Sequence, residues 1–267
     1  MRFSLITVTL NDVANLTATA ESVVGQIDVD FQWIIKDGES SDGTTQLVEK
    51  LKSDHPGMNI LFVSKKDVSL YDAMNQAIDY AEGAYSLFLN AGDVLIGNNT
   101  LQKAARAAGS DADYDFIYGD NIDKLPDGGE IYKKARELSY LWHSIPSSHQ
   151  SIFYRTALLK EFRYDTSYKI CADYEITARI YFNGHQRYLK LDFPISSFSL
   201  GGVSQQYRKI LLNEGYLVHR RIVKYNPLVA GFKYIQRMLT FILLDEYPGV
   251  YKSMRKLMDK KFSIGFN

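Results

Sequence analysis

Cysteine is almost missing from these 267 residues: Cys171 stands alone, so no disulfide can form within one chain, and no Cys/His set has zinc-site spacing. That fits a reducing cytosol. No apolar run approaches the roughly 20 residues that a membrane span needs, which argues against an integral membrane protein. The chain enters a strand-like run at Phe3–Leu10 with no basic segment and signal-type apolar stretch before it, so export is not expected. An excess of one charge is missing too, since thirty-one Lys and Arg meet thirty-one Asp and Glu. A neutral chain has no field with which to collect nucleic acid, and any charged ligand must be held locally. No GxGxxG follows the first strand and no GxxxxGK[ST] occurs anywhere, which disfavours dinucleotide and P-loop chemistry.

What is present is enough apolar sequence, 46%, for one substantial core. In the first hundred residues short β-rich runs (FSLITVTL, FQWIIKD, NILFVS, YSLFLN) alternate with helical patterns near 15–24, 44–52 and 70–81. Such a βαβ series predicts an α/β fold, with a mostly parallel central sheet flanked by helices and a ligand crevice at the carboxyl ends of the strands. Asn11-Asp12, Asp37-Gly38 and Asn90–Asp93 each follow a strand, so they should converge on one rim. Beyond Asp120 the rhythm loosens through a turn at 125–129 and a polar run to Arg136, where acceptor-facing loops are expected. A short strand at SIFYR, a helix over 173–183 capped by Gly184, and a long helix over 205–224 follow.

Each polar cluster has a plain reading beside a functional one. In Asp37-Gly-Glu-Ser-Ser-Asp42-Gly-Thr44, Asp42 reads as a helix cap, while Asp37 is placed to accept from the N–H edge of a base. Ser69 and Asp72 resemble a capping box, and Asn75 lies one turn further on, so Asp72 and Asn75 can face one ligand. Asp93 ends a buried strand, either as a turn residue or as an oxygen ligand bridging a divalent cation to a diphosphate. Asp173 near a helix start either favours the dipole or serves as a general base on a sugar hydroxyl.

Taken together, ITVTLND, IIKDGESSDGT, KKDVSLYDAMNQAI, YSLFLNAGD, FIYGD, SHQSIFYR, YKICADYEITARIYFNG and FSLGGVS, in this order over residues 3–204, resemble the family 2 glycosyltransferases of GT-A fold, of the bacterial capsule, exopolysaccharide and lipopolysaccharide type. The resemblance implies an inverting transferase using a nucleotide-sugar donor, UDP by family habit, and a glycan or lipid-linked glycan acceptor. It makes Asp173 the catalytic base. Asp37 would contact the base with Thr9 and Asn11 nearby, and Asp67, Asp72 and Asn75 would line the nucleotide-sugar site with Asn90, Gly92 and His149. Asp93 would hold a divalent metal, Mn2+ or Mg2+, and Gly201–Ser204 would form a mobile loop near the donor. Three positions depart from the family pattern: the metal signature is Asn90-Ala-Gly-Asp93 with one carboxylate, Ser69 replaces a glycine, and Ala172 replaces the first acid of the ED pair. No QxxRW segment follows, which favours transfer of single sugars over polymerisation.

Residues 1–204 therefore read as the catalytic domain (1–120 for the nucleotide, 121–204 for the acceptor) and 205–267 as a helical C-terminal extension. In 228–261, Phe232, Ile235, Met238, Leu239, Ile242 and Leu243 recur at helical spacing among basic residues. This segment either packs on the core or makes peripheral contact with a membrane from the cytoplasmic side, and a homodimer is left open. The rival functions are an inactive nucleotide-sugar binder, a sugar nucleotidyltransferase and a scaffold.

Overall fold

The computed structural model describes residues 2–110, 112–125, 128–199 and 207–246. Strands β1 (Phe3–Thr9), β2 (Phe31–Asp37) and β3 (Asn59–Ser64) alternate with helices α1 (Val13–Val24), α2 (Thr44–Asp54) and α3 (Leu70–Ile78). Next come β4 (Tyr85–Phe88), β5 (Val94–Leu95), α4 (Thr100–Ala108), β6 (Phe116–Lys124), β7 (Glu130–Lys133), β8 (Ile152–Arg155), α5 (Thr156–Phe162), α6 (Ala172–Phe182) and β9 (Tyr188–Ser199). Helices α7 (Arg208–Arg221) and α8 (Pro227–Glu246) close the described chain. Among the described residues the sheet runs β3-β2-β1-β4-β8-β6-β9-β5, with β7 on β6.

Strands β3, β2, β1 and β4 are mutually parallel, β8 enters antiparallel between β4 and β6, and β9 runs parallel to β6. Every residue of β1 and β2 is buried, as expected for parallel strands covered on both faces. Alternation then sorts their side chains. Ile6, Val8 and Ile34 face the core under α3 and α6, whereas Phe3, Leu5, Trp33 and Ile35 face the one under α1, α2 and α4.

The chain goes outward from β1 to β2 and β3, then returns to the far side of β1 with β4. That reversal opens a crevice at the carboxyl ends of β1 and β4, the switch point where α/β sheets hold ligands. The loops after β1, β2 and β4 meet there. Asn11 N–H donates to Ser40 Oγ (2.7 Å), Ser41 N–H to Asn11 Oδ1 (2.9 Å), and Ala91 N–H to Val8 O (3.3 Å). Asp42 lies one residue ahead of the α2 cap, which is Gly43. Its carboxylate accepts from Thr44 and from Val13 N–H, so it ties the starts of α2 and α1 together.

Two readings of the sequence need amendment. The polar run expected as loop contains β7, whose alternating half-exposed residues edge the sheet beside β6. The long helix starts at Arg208, after a turn at Tyr207. The Gly201–Ser204 loop and basic residues Lys252–Lys261 lie outside the described residues.

Candidate active site

The rim divides into a base-side cluster and a reaction-side cluster. On the base side Asp37 ends β2 and is fully buried. Its carboxylate accepts from Ser40 N–H (3.0 Å), Ser40 Oγ (2.5 Å) and Ser64 Oγ (2.8 Å), so the group expected to meet a base is held by hydroxyls that a ligand could replace. Beside it Lys36 is also fully buried, which a charge tolerates only when paired. Its ammonium donates to Asp37 O (2.9 Å), Lys65 O (2.5 Å) and Asp67 Oδ2 (2.9 Å), filling all three N–H positions and fixing Asp67 to the sheet end. Gly38 is required by close approach. A Cβ there would stand 2.9 Å from Asp67 Oδ2 and 3.1 Å from Leu10 Cδ1. Asn11 adopts a left-handed φ of 50° and is clipped to the Ser40–Ser41 turn, and Thr9 Oγ1 is buried with no hydrogen-bond partner among the described residues.

Helix α3 links the two clusters. Ser69 caps it by accepting from Asp72 N–H (3.2 Å), and Asp72 Oδ2 accepts in turn from Val68 N–H and Gln76 Nε2 (both 3.0 Å). Both ends of the Asn75 amide are engaged by the backbone of Tyr164 (2.9 Å each), so as placed this side chain clamps the segment between α5 and α6. Tyr71 adds a second tie through its hydroxyl to Ile170 O (2.7 Å), just ahead of Asp173.

On the reaction side, the turn after β4 is held from behind. Gly92 takes φ +94°, where a side chain is strained, and its N–H donates to Thr19 Oγ1 (2.9 Å). Thr19 passes its own proton to Asp93 O (2.8 Å). The Asp93 carboxylate accepts from Asn90 N–H (3.0 Å) and Gln150 Nε2 (3.2 Å). Burial nonetheless pushes its pKa up to about 6, with the nearby Asp173 charge adding to the rise while His149, Gln150 and Asn90 oppose it.

His149 connects Asn90 to Asp173: Nδ1 lies 3.0 Å from Asp173 Oδ2, and Nε2 lies 3.3 Å from Asn90 Nδ2. Desolvation opposes a charge on this ring, yet the Asp173 carboxylate, with help from Asp93, overrides it and raises the pKa above the ordinary histidine value. With Nδ1–H donated to Asp173, a neutral ring accepts from the Asn90 amide at Nε2. A charged ring needs that amide turned, bringing Asn90 Oδ1 to face it. Asn90 Oδ1 and Asp173 Oδ1 are both buried without hydrogen-bond partners among the described residues. An unpartnered carboxylate oxygen beside an oriented histidine is equipped to take a proton from an incoming hydroxyl.

Among the described residues no group of three or more His, Cys, Asp or Glu is gathered to hold a metal ion. Asp93 supplies one carboxylate, already hydrogen-bonded through both oxygens. These donors fit a hard cation only when a diphosphate brings most of the remaining oxygens.

Sequence reasoning missed four supporting residues. Lys36 and Thr19 leave no local pattern, since β2 also holds Gln32 and Asp37 and α1 also holds Asn15, Thr17, Glu21 and Ser22, so neither stands out. Gln150 adjoins His149 in SHQSIFYR and was legible only as part of that string. Glu214 of α7 is buried, and its carboxylate accepts from three consecutive N–H groups, Lys169 (2.7 Å), Ile170 (2.9 Å) and Cys171 (2.8 Å), immediately before Asp173. Glu214→Ala should cost about 2 kcal/mol by removing the acceptor of three N–H groups, that of Cys171 buried and the other two half-buried, whereas Glu214→Gln, keeping one acceptor, should lose less; thermal unfolding of both variants checks this.

Residues 4–173 match the family described as Glycosyl transferase family 2. The chain belongs to that family. Its members are glycosyltransferases using nucleotide sugars, and this chain is one of them. A PGL/p-HBAD biosynthesis glycosyltransferase of Mycobacterium bovis is 33% identical over 68% of this chain and 70% of its own length. Among solved structures, S. aureus TarS 1-349 in complex with UDP superposes with a TM-score of 0.66 at 20% identity, covering 92% of this chain and 74% of that one. The mannosyltransferase PcManGT of Pyrobaculum calidifontis, in complex with GDP-Man and Mn2+, gives a TM-score of 0.66 at 14% identity over 99% of this chain and 76% of the other. These likenesses establish a GT-A fold with C-terminal helices for this glycosyltransferase.

Proposed function

We propose that this glycosyltransferase inverts configuration as it moves a sugar from a UDP-sugar to a glycan or lipid-linked glycan acceptor in surface polysaccharide biosynthesis, on the cytoplasmic side. The observation that carries the reading is the unpartnered Asp173 Oδ1 next to His149 and within the electrostatic reach of Asp93. In this mechanism the acceptor hydroxyl gives its proton to Asp173 Oδ1 while its oxygen forms the new bond to the anomeric carbon. The bond from that carbon to the diphosphate oxygen breaks on the opposite face, and the electron pair leaves with the diphosphate.

Thr9, Asn11, Asp37 and Asp67 hold the nucleoside, and Asn90 and Gly92 shape the floor under the sugar. Asp72 and Asn75, on the first turns of α3, line the nucleotide-sugar site beside them. The UDP complex of TarS supports the choice of nucleotide, and the PGL/p-HBAD role of the mycobacterial relative supports a lipid-linked acceptor. A divalent cation, Mn2+ or Mg2+, entering with the diphosphate beside Asp93 would neutralise the leaving group's charge, and the Mn2+ of PcManGT supports its inclusion. Residues 1–204 would form the catalytic domain, divided near residue 120 between nucleotide and acceptor, with 205–267 as its extension.

Calorimetric titration with UDP, GDP, TDP and CDP, each with Mn2+ and with chelator, tests the donor assignment. Binding of UDP, strengthened by Mn2+, is expected. Preference for another nucleotide would replace UDP, and binding of none would overturn the transferase reading in favour of an inactive relative.

A further inference from the structure

Helix α8 is amphipathic the wrong way round for a helix that packs on its own protein. Leu228, Phe232, Ile235, Leu239 and Ile242 recur every three or four residues, and they are 85, 66, 51, 51 and 41% exposed. Its two basic side chains, Lys233 and Arg237, are half-buried and turn toward the rest of the chain, while Gln236 is exposed. Lys233 Nζ lies 2.7 Å from His143 Nδ1, and Arg237 packs against Gly215 of α7 and over the Phe241 ring. The face turned to water is therefore an apolar stripe spanning about 20 Å at the helical rise of 1.5 Å per residue.

Charge gives the stripe a partner. Residues 205–267 hold twelve Lys and Arg against four Asp and Glu, in a chain with thirty-one of each, so the extension is strongly basic while the remainder is acidic. One of the four acids, Glu214, is buried against the loop before Asp173. Lys209, Arg221 and Lys224 are exposed on and just after α7, and five further basic residues follow α8 in the sequence against Asp259 alone. An apolar stripe on a basic extension matches an anionic bilayer surface: the side chains enter the acyl boundary while the basic groups meet the headgroups. No helix among the described residues is long and apolar enough to cross a membrane, so the contact lies along the surface.

We propose that the outward face of α8 is a docking surface for anionic lipid bilayers. The inference stands on the extension alone and does not depend on the chemistry assigned to Asp173.

The test is flotation of the full chain with phosphatidylglycerol-containing vesicles and with pure phosphatidylcholine vesicles, beside the Phe232→Ser/Ile235→Ser/Leu239→Ser variant. Wild type should float with the anionic vesicles, and the variant should bind at least tenfold more weakly with an unchanged circular dichroism spectrum. Failure of the wild type to float, or equal flotation of the variant, would overturn the proposal. So would light scattering that shows a wild-type dimer which the variant dissolves, since the face would then belong to a second copy. If the triple variant does not fold, Leu239→Trp in the parent chain serves instead. Its added fluorescence should be quenched by brominated anionic lipid, and no quenching beyond that of the parent would overturn the assignment.

Discussion

Asp173→Asn should leave UDP binding within a few fold of wild type and lower the rate of sugar transfer by about 10²-fold or more, the scale expected when a positioned base is lost. The amide keeps an oxygen to accept from His149 Nδ1–H, so the side chain stays in place while its ability to take a proton goes. Single-turnover transfer together with calorimetric UDP binding separates the two effects. Transfer retained within tenfold would remove Asp173 from the mechanism. His149 supplies a second readout. Its folded-state pKa is raised, so the charged pair with Asp173 adds stability below the ordinary histidine value, and that increment is lost as pH rises through the elevated one. In the same interval the His149 ring loses its positive charge, so the Asp173 carboxylate is no longer held in an ion pair when the acceptor hydroxyl arrives. The transfer rate should therefore climb with pH on the alkaline side of the usual histidine range. That limb should disappear in His149→Gln, which keeps Asp173.

The half of the fold built from local signals was the legible half. β1 to β4 and α1 to α3 are a βαβ series in which each element carries its own periodicity, and each lies where the pattern put it to within a few residues. β5, β6, β7 and β9 and helices α4 and α5 escaped. β5 has two residues, β7 is a half-exposed edge, and β9 carries Pro194 and a register shift against β6, so none shows a clean alternation. Their existence is decided by pairing partners far away in sequence. The orientation of α8 was equally illegible, because spacing reveals an apolar stripe without saying which way it faces.

The candidate site was legible as a set of strings and illegible as a network. Strand-end positions bring Asp37, Asn90 and Asp93 to one rim, and the tie through His149 then adds Asp173 from 80 residues away. What spacing could not foresee is how much of the set is already engaged within the chain. Asn75 holds Tyr164, Asp72 reaches back to Val68, and Asp37 is wrapped by two serines. Nor could it reveal that Glu214, outside the matched family segment, holds the backbone from which Asp173 springs.

Asp93→Asn should make the ligand-free protein more stable at pH 8 even as it impairs turnover. Burial holds this carboxyl up at about 6, against 3.8 for an ordinary aspartate. Between those values the unfolded chain ionises while the folded one does not, so stability falls as pH rises from about 4 to 6 and stays low above it. The gap of two units corresponds to about 3 kcal/mol at 1.36 kcal/mol per unit, which is several degrees of melting temperature for a chain this size. An asparagine avoids the charge while its oxygen still accepts from Asn90 N–H, and Gln150 can turn its own oxygen to meet the new amide. In chelator the variant should melt higher at pH 8, and the difference should close toward pH 4. With Mn2+ and UDP the order should reverse, because ligand binding stabilises the wild type in proportion to RT ln(1 + [L]/Kd) and the variant has lost the charge that would face the cation. A variant that melts lower at pH 8 in chelator would mean that the two hydrogen bonds outweigh desolvation. An unchanged gain from Mn2+ and UDP would separate Asp93 from the cation. Both signs together would identify a residue kept ionised at a cost in folding for what it does to a diphosphate.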